Sequence, residues 1–507
     1  MAGPRVAGSW PASSSSPPPP LAAAASPLES LPAEMLDMIV GNLFRDMIVP
    51  RSDSRQLAKT RWLRSRTALR SLCLTSRSLS KHGQSILYRH VAVADGHEMA
   101  LFLGAILSNP SLGLSVRGFE CSADADAACT SNFPLRTTEA GILDFRHYRP
   151  LESLADLLDS DYQLPDVKPV HMPYLLFMDC LIALLWVMPN LERVCIPLPA
   201  QRVVFHHSRA RAAFRSLLYS DRLVPLLQNV TYVQLRPHGA ADQDFLDLSQ
   251  YGPVLASMPS LEKVELIGDD GNFEEFMIKG SGVNYSENIS HLILSQSGCT
   301  PCDIADACNR LTNLQTLSVT TDADLATYGV FPLLEIHHAA PGSHFHDNCL
   351  NNGLPRLKNT LTNLHLQFNY HVPVTPLIGP GGKVTCLPSL TSLRVLSIGI
   401  LQLYTSSEII SRDAPRSKLA HLLPGSLTEL RLHIDAGLQS RRDKSWYSVF
   451  LEILGDFARD VRPGLPHLSV VVALLSNPYH EMYHAELATL ATAFVQQGVL
   501  LTHQPSQ

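Results

Sequence analysis

The sequence predicts an α/β protein in two parts: a short helical module, then an irregular array of short parallel strands alternating with helices. Three observations predict it. An early stretch, Leu28–His90, carries apolar residues at helical spacing among Arg and Ser. From Pro189 onward, a unit of apolar-x-x-apolar-x-apolar recurs with helical patterns between its copies. And 507 residues with 45 % hydrophobic and only 17 % charged side chains can bury a large core, yet exceed one ordinary domain unless the architecture repeats.

In chain order, residues 1–26 are Pro/Ser/Ala-rich ("PASSSSPPPP") and cannot offset the entropy of being ordered, so disorder is predicted. Residues 27–92 form the helical module. Leu31, Met35, Ile39 and Leu43 recur every four residues, and Leu36 and Met38 widen the stripe. Ser30 stands where an N-cap belongs, Pro32 in the first turn, and Glu34 where negative charge suits a helix N-terminus. Leu69, Leu72, Cys73 and Leu79 repeat the spacing, and Ile86, Leu87 and Tyr88 add a further apolar cluster. Either the two pieces close on each other as a plain hairpin, or a leftover apolar face belongs to a partner.

The residues carry a resemblance. Leu-Pro-x-Glu-Met-Leu-x-x-Ile-x-x-x-Leu from Leu31, followed by Leu-x-x-Leu-Cys-Leu-x-Ser-Arg from Leu69 and then "ILYRHV", resembles an F-box of the fungal kind. The connection Arg45–Thr67 is longer than usual for that family. The resemblance implies docking onto a Skp-type adaptor, and through it a cullin. Leu31, Pro32, Met35, Leu36, Ile39, Leu43, Leu69, Leu72 and Cys73 match its adaptor-facing positions. Arg51–Arg89 holds ten Lys or Arg against one acid, Asp53. That run reads as steering toward an acidic partner, as a nuclear import signal, or as a solvated helix face.

Residues 93–188 are expected to form a helical linker and N-terminal cap: a helix over Glu98–Leu107, a strand over Ser115–Cys121, an insertion over Ser122–Arg146, and helices over Leu151–Leu158 and Tyr174–Val187. The apolar run Tyr174–Met188 is interrupted by Asp179 and falls short of a membrane span, so a buried helix is predicted.

Residues 189–475 hold the recurring unit: LERVCI at Leu191, VTYVQL at Val230, LEKVEL at Leu261, ISHLIL at Ile289, LQTLSV at Leu314, LTNLHL at Leu361, LRVLSI at Leu393 and LTELRL at Leu427, with LSVVVA at Leu468 as a ninth. Helical patterns at Ala210–Leu227, Asp244–Ser257 and Asp303–Leu311 fall between copies. A strand plus a helix per unit resembles irregular leucine-rich repeats. The spacings of 25 to 47 residues exceed the roughly 20–29 typical of that family, which implies insertions at His337–Leu354, Asn369–Leu387 and Thr405–Leu423. Each strand buries its first, fourth and sixth positions against its own helix, and only neighbouring units can cover its flanks. At roughly 1.5–3 kcal/mol per buried aliphatic side chain, such a unit is stable only when sandwiched. Ser445–Ala458 and a helix over Pro478–Val495, the latter in the capping segment 476–507, are expected to cap the far end.

The alternate strand positions face the other way: Arg193, Tyr232, Gln234, Lys263, Glu265, His291, Thr316, Ser318, Asn363, His365, Gln367, Glu429, Arg431 and His433. Their mixed character suits a protein or peptide client better than lipid or nucleic acid, and a solvated face without ligand is the plain alternative. A net charge of −6 likewise gives no reason to expect nucleic acid or an anionic membrane.

Chemistry-bearing motifs are few. His480-Glu481-Met482-Tyr483-His484 matches H-E-x-x-H, in which His at i and i+4 share a helix face and Glu serves as base. A zinc hydrolase is therefore one alternative, against the bland reading that both His border an amphipathic stripe of Tyr483, Leu487, Leu490 and Phe494. The only later His, His503, falls in an expected tail. His337, His338, His344, His346, Asp347 and Cys349 crowd a Gly/Pro-containing loop with no metal spacing, and Cys299-x-x-Cys302 stands alone with Cys308 nearby. The ten Cys show no framework and no secretory pattern precedes them, so free thiols in a reducing compartment, cytoplasmic or nuclear, are expected. No cofactor and no metal is assigned. The reading is a non-catalytic client receptor of an SCF-type ubiquitin ligase. A repeat scaffold that docks the adaptor outside any ligase is the other alternative.

Overall fold

A computed structural model describes residues 31–32, 34–36, 38, 67–75, 77–121, 135–137, 143–154, 172–199, 227–238, 246, 255, 258–269, 288–299, 301–321, 349–368, 383–404, 419–433, 445–475 and 483–505. The expected tail at 1–26, the connection Arg45–Thr67 up to its last residue, and Ile39, Leu43, His480 and Glu481 lie outside them, as do His337 to Asp347. The chain divides into two compact units, Met1–Leu87 and Tyr88–Gln507.

In the first unit, a helical turn opens where Met35 and Leu36 donate their N–H groups to Pro32 O, at 3.0 and 3.1 Å. Helices α1 (residues 67–75) and α2 (Arg77–Leu87) follow. Gly83 of α2 permits their close approach, since a Cβ there would lie 2.4 Å from Cys73 Sγ.

The second unit is an α/β structure around one twelve-stranded sheet, every pairing parallel and the spatial order identical to the chain order. The strands are β1 (His90–Val93), β2 (Gly118–Cys121), β3 (Arg193–Pro199), β4 (Tyr232–His238), β5 (Lys263–Ile267), β6 (His291–Ser297), β7 (Thr316–Thr321), β8 (Asn363–Gln367), β9 (Val395–Gly399), β10 (Glu429–His433), β11 (Val470–Leu475) and β12 (Leu500–Pro505). The described connections carry α3 (Gly96–Ser108), α4 (Pro110–Ser115), α5 (Met172–Val187), α6 (Pro301–Arg310), α7 (Cys349–Gly353), α8 (Ile400–Leu403), α9 (Ser445–Gly464) and α10 (His484–Gln496). Such strictly sequential parallel addition is what a repeat solenoid does.

All nine recurring sequence units land on β3 to β11. Their first apolar residues, from Leu191 and Val230 through Leu427 and Leu468, are buried just ahead of each strand. The fourth and sixth positions, such as Val264 and Leu266 or Leu430 and Leu432, are buried on the strand itself and join the helices in one continuous core. The step from unit to unit has its own hydrogen-bond signature. Two successive N–H groups entering each strand from β2 to β11 share one carbonyl of the unit before: Thr231 and Tyr232 on Glu192 O, Thr362 and Asn363 on Gln315 O, Ser469 and Val470 on Thr428 O. Where the first of the two is Thr or Ser, its hydroxyl donates to that same carbonyl, as in Thr231, Ser290, Thr362, Thr428 and Ser469.

The sheet is longer than the repeats in the sequence. It begins at His90 and includes β2, so the region ahead of Pro189 contributes strands as well as helices. At the far end α9 and α10 lie between strands, and β12 continues the sheet beyond both. His503, expected in a tail, is a strand residue of β12. Ser115 ends α4, and its strand starts at Gly118. Asp179, the interruption in the apolar run of α5, is buried and accepts from Leu143 N at 3.2 Å, which compensates its desolvation. No described helix is long and apolar enough to cross a membrane. The expectation of free thiols throughout is corrected at one pair: Cys302 and Cys349 are bonded.

Candidate functional site

The strand register turns the alternate positions into lateral rows. One row runs Arg193, Tyr232, Lys263, His291, Thr316, Asn363, Val395 and Glu429 across β3 to β10. The next runs Cys195, Gln234, Glu265, Ile293, Ser318, His365, Ser397 and Arg431. Adjacent strands lie about 4.8 Å apart, so each member can reach its lateral neighbour.

Two polar sectors emerge. In the first, on β3 to β5, the Tyr232 hydroxyl donates to Glu265 Oε2 at 2.7 Å and Gln234 Nε2 donates to Glu265 Oε1 at 2.6 Å. Glu265 is buried, and these two donors hold its carboxylate. The Tyr232 ring is flanked by cations, with Arg193 Cζ 4.3 Å and Lys263 Nζ 4.8 Å from its centroid. Burial first, then the nearby Cys195 and Glu265, push the Tyr232 phenol well above its ordinary range, so it remains a donor. Burial also pushes the Cys195 thiol up to about 11, against the opposing influence of Arg193. His90 on the edge strand has its imidazolium disfavoured by burial and by Arg89 and Arg193. Arg236 donates to Cys121 O at 3.1 Å.

The second sector spans β7 to β10. The Ser397 hydroxyl and His433 Nε2 are 2.7 Å apart, both side chains buried, and the His365 ring meets His433 edge-on at 5.2 Å between centroids. Thr320 Oγ1 and His365 Nε2 lie 3.5 Å apart. Burial, then His365 and Arg431, lower the His433 pKa to about 3, so the ring is neutral near pH 7. Asn363 Nδ2 donates to Thr316 Oγ1 at 3.2 Å. Between the two sectors, at the start of β6, His291 Nδ1 engages Ser290 Oγ at 2.7 Å. Arg431 and Glu429 pair at 2.6 Å on the exposed side. Ser318 and Gln367 are half-buried on the same face.

The face thus brings together most positions the sequence assigned to it, and they serve it unequally. Glu265 and His433 are internal, whereas Tyr232, Gln234, Lys263, His291, Asn363 and His365 remain half-exposed. Sequence reasoning missed Cys195, Arg236 and Ser397, which occupy the same alternating positions and were legible by that signal. It also missed Asp269, just past the end of β5, and Ser297, the last residue of β6, a buried pair at 2.7 Å. There the chain bulges at Gln296, whose φ is +54°.

On the first unit, the assigned positions divide. Leu36 and Leu69 are buried at 2 % and 0 % exposure, as is Leu79 at 4 %. Met35, Met38 and Leu74 stand out at 42 %, 57 % and 79 %. Pro32 is exposed, and Leu31, Leu72 and Cys73 are half-buried. As for a metal, His484 opens α10 and its ring meets His503 of β12 edge-on at 5.1 Å. Among the described residues no group of three or more His, Cys, Asp or Glu could hold an ion.

No protein-family model matches the chain, and no curated protein matches it.

Proposed function

We propose that the chain is the client-receptor subunit of an SCF-type ubiquitin ligase. Its first unit acts as an F-box docking a Skp-type adaptor and, through it, a cullin. Its second unit acts as an irregular leucine-rich-repeat array whose polar sheet face holds a protein client, in the cytoplasm or nucleus. The receptor supplies no reacting group; it raises the client's effective concentration beside the transfer machinery.

The observation that carries the reading is the division of the apolar residues of the first unit. Leu36, Leu69 and Leu79 turn in, while Met35, Met38 and Leu74 stay in solvent on the same short helices. Large apolar side chains left wet on short helices are characteristic of a docking surface. The mixed polar face from Tyr232 to His433 supports a protein client, because amide, hydroxyl, imidazole and charged groups alternate with no dominant sign.

The test is co-purification of the full chain with a Skp-type adaptor. Met35→Glu with Met38→Glu should cut adaptor recovery more than tenfold and leave the unfolding midpoint unchanged, since both residues are exposed. Undiminished recovery would overturn the docking assignment. Adaptor recovered without any cullin would instead favour a scaffold outside a ligase.

A further inference from the structure

We propose that Cys302 and Cys349 form a reversible oxidation site, a two-electron thiol–disulfide couple that sets the rigidity of the segment leading into β9. The inference is independent of the client-receptor reading.

The bond joins the second residue of α6 to the first residue of α7, 47 positions apart. Both residues are partly exposed. The neighbouring thiols Cys299 and Cys308 are buried, and Cys386 is half-buried. Burial pushes Cys308 up to about 12 and Cys386 up to about 11, and holds Cys299 well above its ordinary value. These neighbours therefore remain thiols near neutral pH. Exchange needs a thiolate, so they do not attack the bond. Cys386 is the telling case: its Sγ lies 3.8 Å from Leu350 O, next to Cys349, yet it stays protonated and hydrogen-bonded there. The couple is thus accessible from solvent and insulated from internal scrambling.

Its chemistry balances with a vicinal dithiol as reductant. One thiolate of the dithiol attacks Cys349 Sγ, and the S–S bond breaks with its electron pair on Cys302 Sγ, which takes up a proton. The second thiol of the reductant then displaces Cys349 from the mixed disulfide, and that sulfur is protonated in turn. Two electrons pass from the dithiol, which leaves as a disulfide. A Cys302 thiolate leaves at the N-terminal turn of a ten-residue helix, whose dipole favours it. Asp303 in the same turn opposes this in part. Oxidation is the reverse, with a small-molecule disulfide as acceptor.

The bond reaches further because α7 is a junction. Asn351 Nδ2 donates to Lys383 O at 2.8 Å, and Asn351 Oδ1 accepts from Thr385 N at 2.7 Å and Cys386 N at 3.0 Å. This side chain pins the strip that runs through Leu387–Ser389 into β9. At its other end α7 seats on α6 through Gly353, where a Cβ would lie 2.7 Å from Ala305 Cα. With the bond closed, α7 is held at both ends. With it open, the seat at Gly353 and the Asn351 clamp remain.

The test uses the full chain equilibrated in mixtures of reduced and oxidised glutathione, with and without a dithiol, then alkylated and mapped by peptide mass. Cys302 and Cys349 should become alkylated together as the mixture turns reducing, while Cys121, Cys180, Cys195, Cys299 and Cys308 stay unlabelled. Amide exchange over 350–357 and 383–387 should quicken more than tenfold in the reduced form, with β3 and β4 unaffected. Cys302→Ser should show the fast exchange in every mixture. Alkylation of both residues under all oxidising mixtures, resistance of the bond to the dithiol in the folded protein, or identical exchange in the two forms would each overturn the proposal.

Discussion

The Ser397 hydroxyl lies 2.7 Å from Nε2 of His433, on neighbouring strands β9 and β10, with both side chains almost sealed from solvent at 4 % and 8 % exposure. A neutral imidazole is comfortable there and an imidazolium is not. Burial is the main cause, and the facing His365 and the Arg431 guanidinium two residues back add to it. The pair is therefore a cross-strand tie set in surroundings that disfavour a charge on His433.

This makes the second unit acid-labile in a defined window. The folded-state pKa of His433 is lowered to about 3 from an ordinary 6.5. Below 6.5 the unfolded chain takes up a proton that the folded chain refuses, so stability falls with pH and continues to fall until about 3. At pH 5 linkage gives a loss of roughly 2 kcal/mol relative to pH 7. Urea unfolding at pH 7 and pH 5 should show that loss in the natural sequence, and His433→Asn should lack most of it. An equal acid sensitivity in the variant would show that His433 is not the group refusing the proton.

Tyr232 offers a cleaner subtraction. Tyr232→Phe keeps the ring that Arg193 and Lys263 flank and deletes only the donor to Glu265. Glu265 is buried and keeps Gln234 as its remaining partner of the two described here. The expected cost is roughly 1–2 kcal/mol, because a buried carboxylate is left short of one hydrogen bond. Tyr232→Leu should cost more, since it also removes the aromatic surface between two cations. If the Phe and Leu variants unfold at the same denaturant concentration, the ring contributes nothing beyond its hydroxyl.

Much of the second unit was readable because its core is built one residue type at a time. Apolar residues at positions one, four and six of nine units specify which side of each strand is buried, and the strands followed from that pattern. The entry ladder was present too, in Thr231, Ser290, Thr362, Thr428 and Ser469, but a hydroxyl bonded to the carbonyl of the preceding unit looks like any surface Ser or Thr until the units are stacked. β1 and β2 carry the same apolar spacing, at Tyr88, Val91 and Val93 and at Val116, Phe119 and Cys121, but in four-residue strands whose aromatic and Cys members read less plainly as repeat anchors than Leu does. The Cys302–Cys349 bond was not deducible, since nothing in the sequence across a separation of 47 residues signals that α7 comes onto α6. Within the site, alternation identified which face a side chain occupies. It gave no account of diagonal neighbours such as Ser397 and His433, 36 residues apart, which depend on the register between β9 and β10.

Arg462 is a further residue that only the assembled fold explains, and it yields a sharp test. It stands in the last turn of α9, and its guanidinium bridges to the end of α10. Nε donates to Gln497 O, Nη2 to Gly498 O at 2.7 Å, and Nη1 to Pro466 O at 2.9 Å. Three carbonyls left unpaired where two helices end are thus satisfied by one planar fork. Gly498 sits at φ +69°, and a Cβ there would lie 2.7 Å from Nη2, so the approach of the fork and the left-handed turn require the same glycine. Arg462→Lys retains the charge, but an ammonium cannot span three acceptors set in a fork. The expected loss is about 1–3 kcal/mol, accompanied by faster amide exchange at the start of β12, which begins two residues after Gly498. A Lys variant within about 0.5 kcal/mol of the parent would mean that the charge, and not the fork, is what the α9 and α10 termini require.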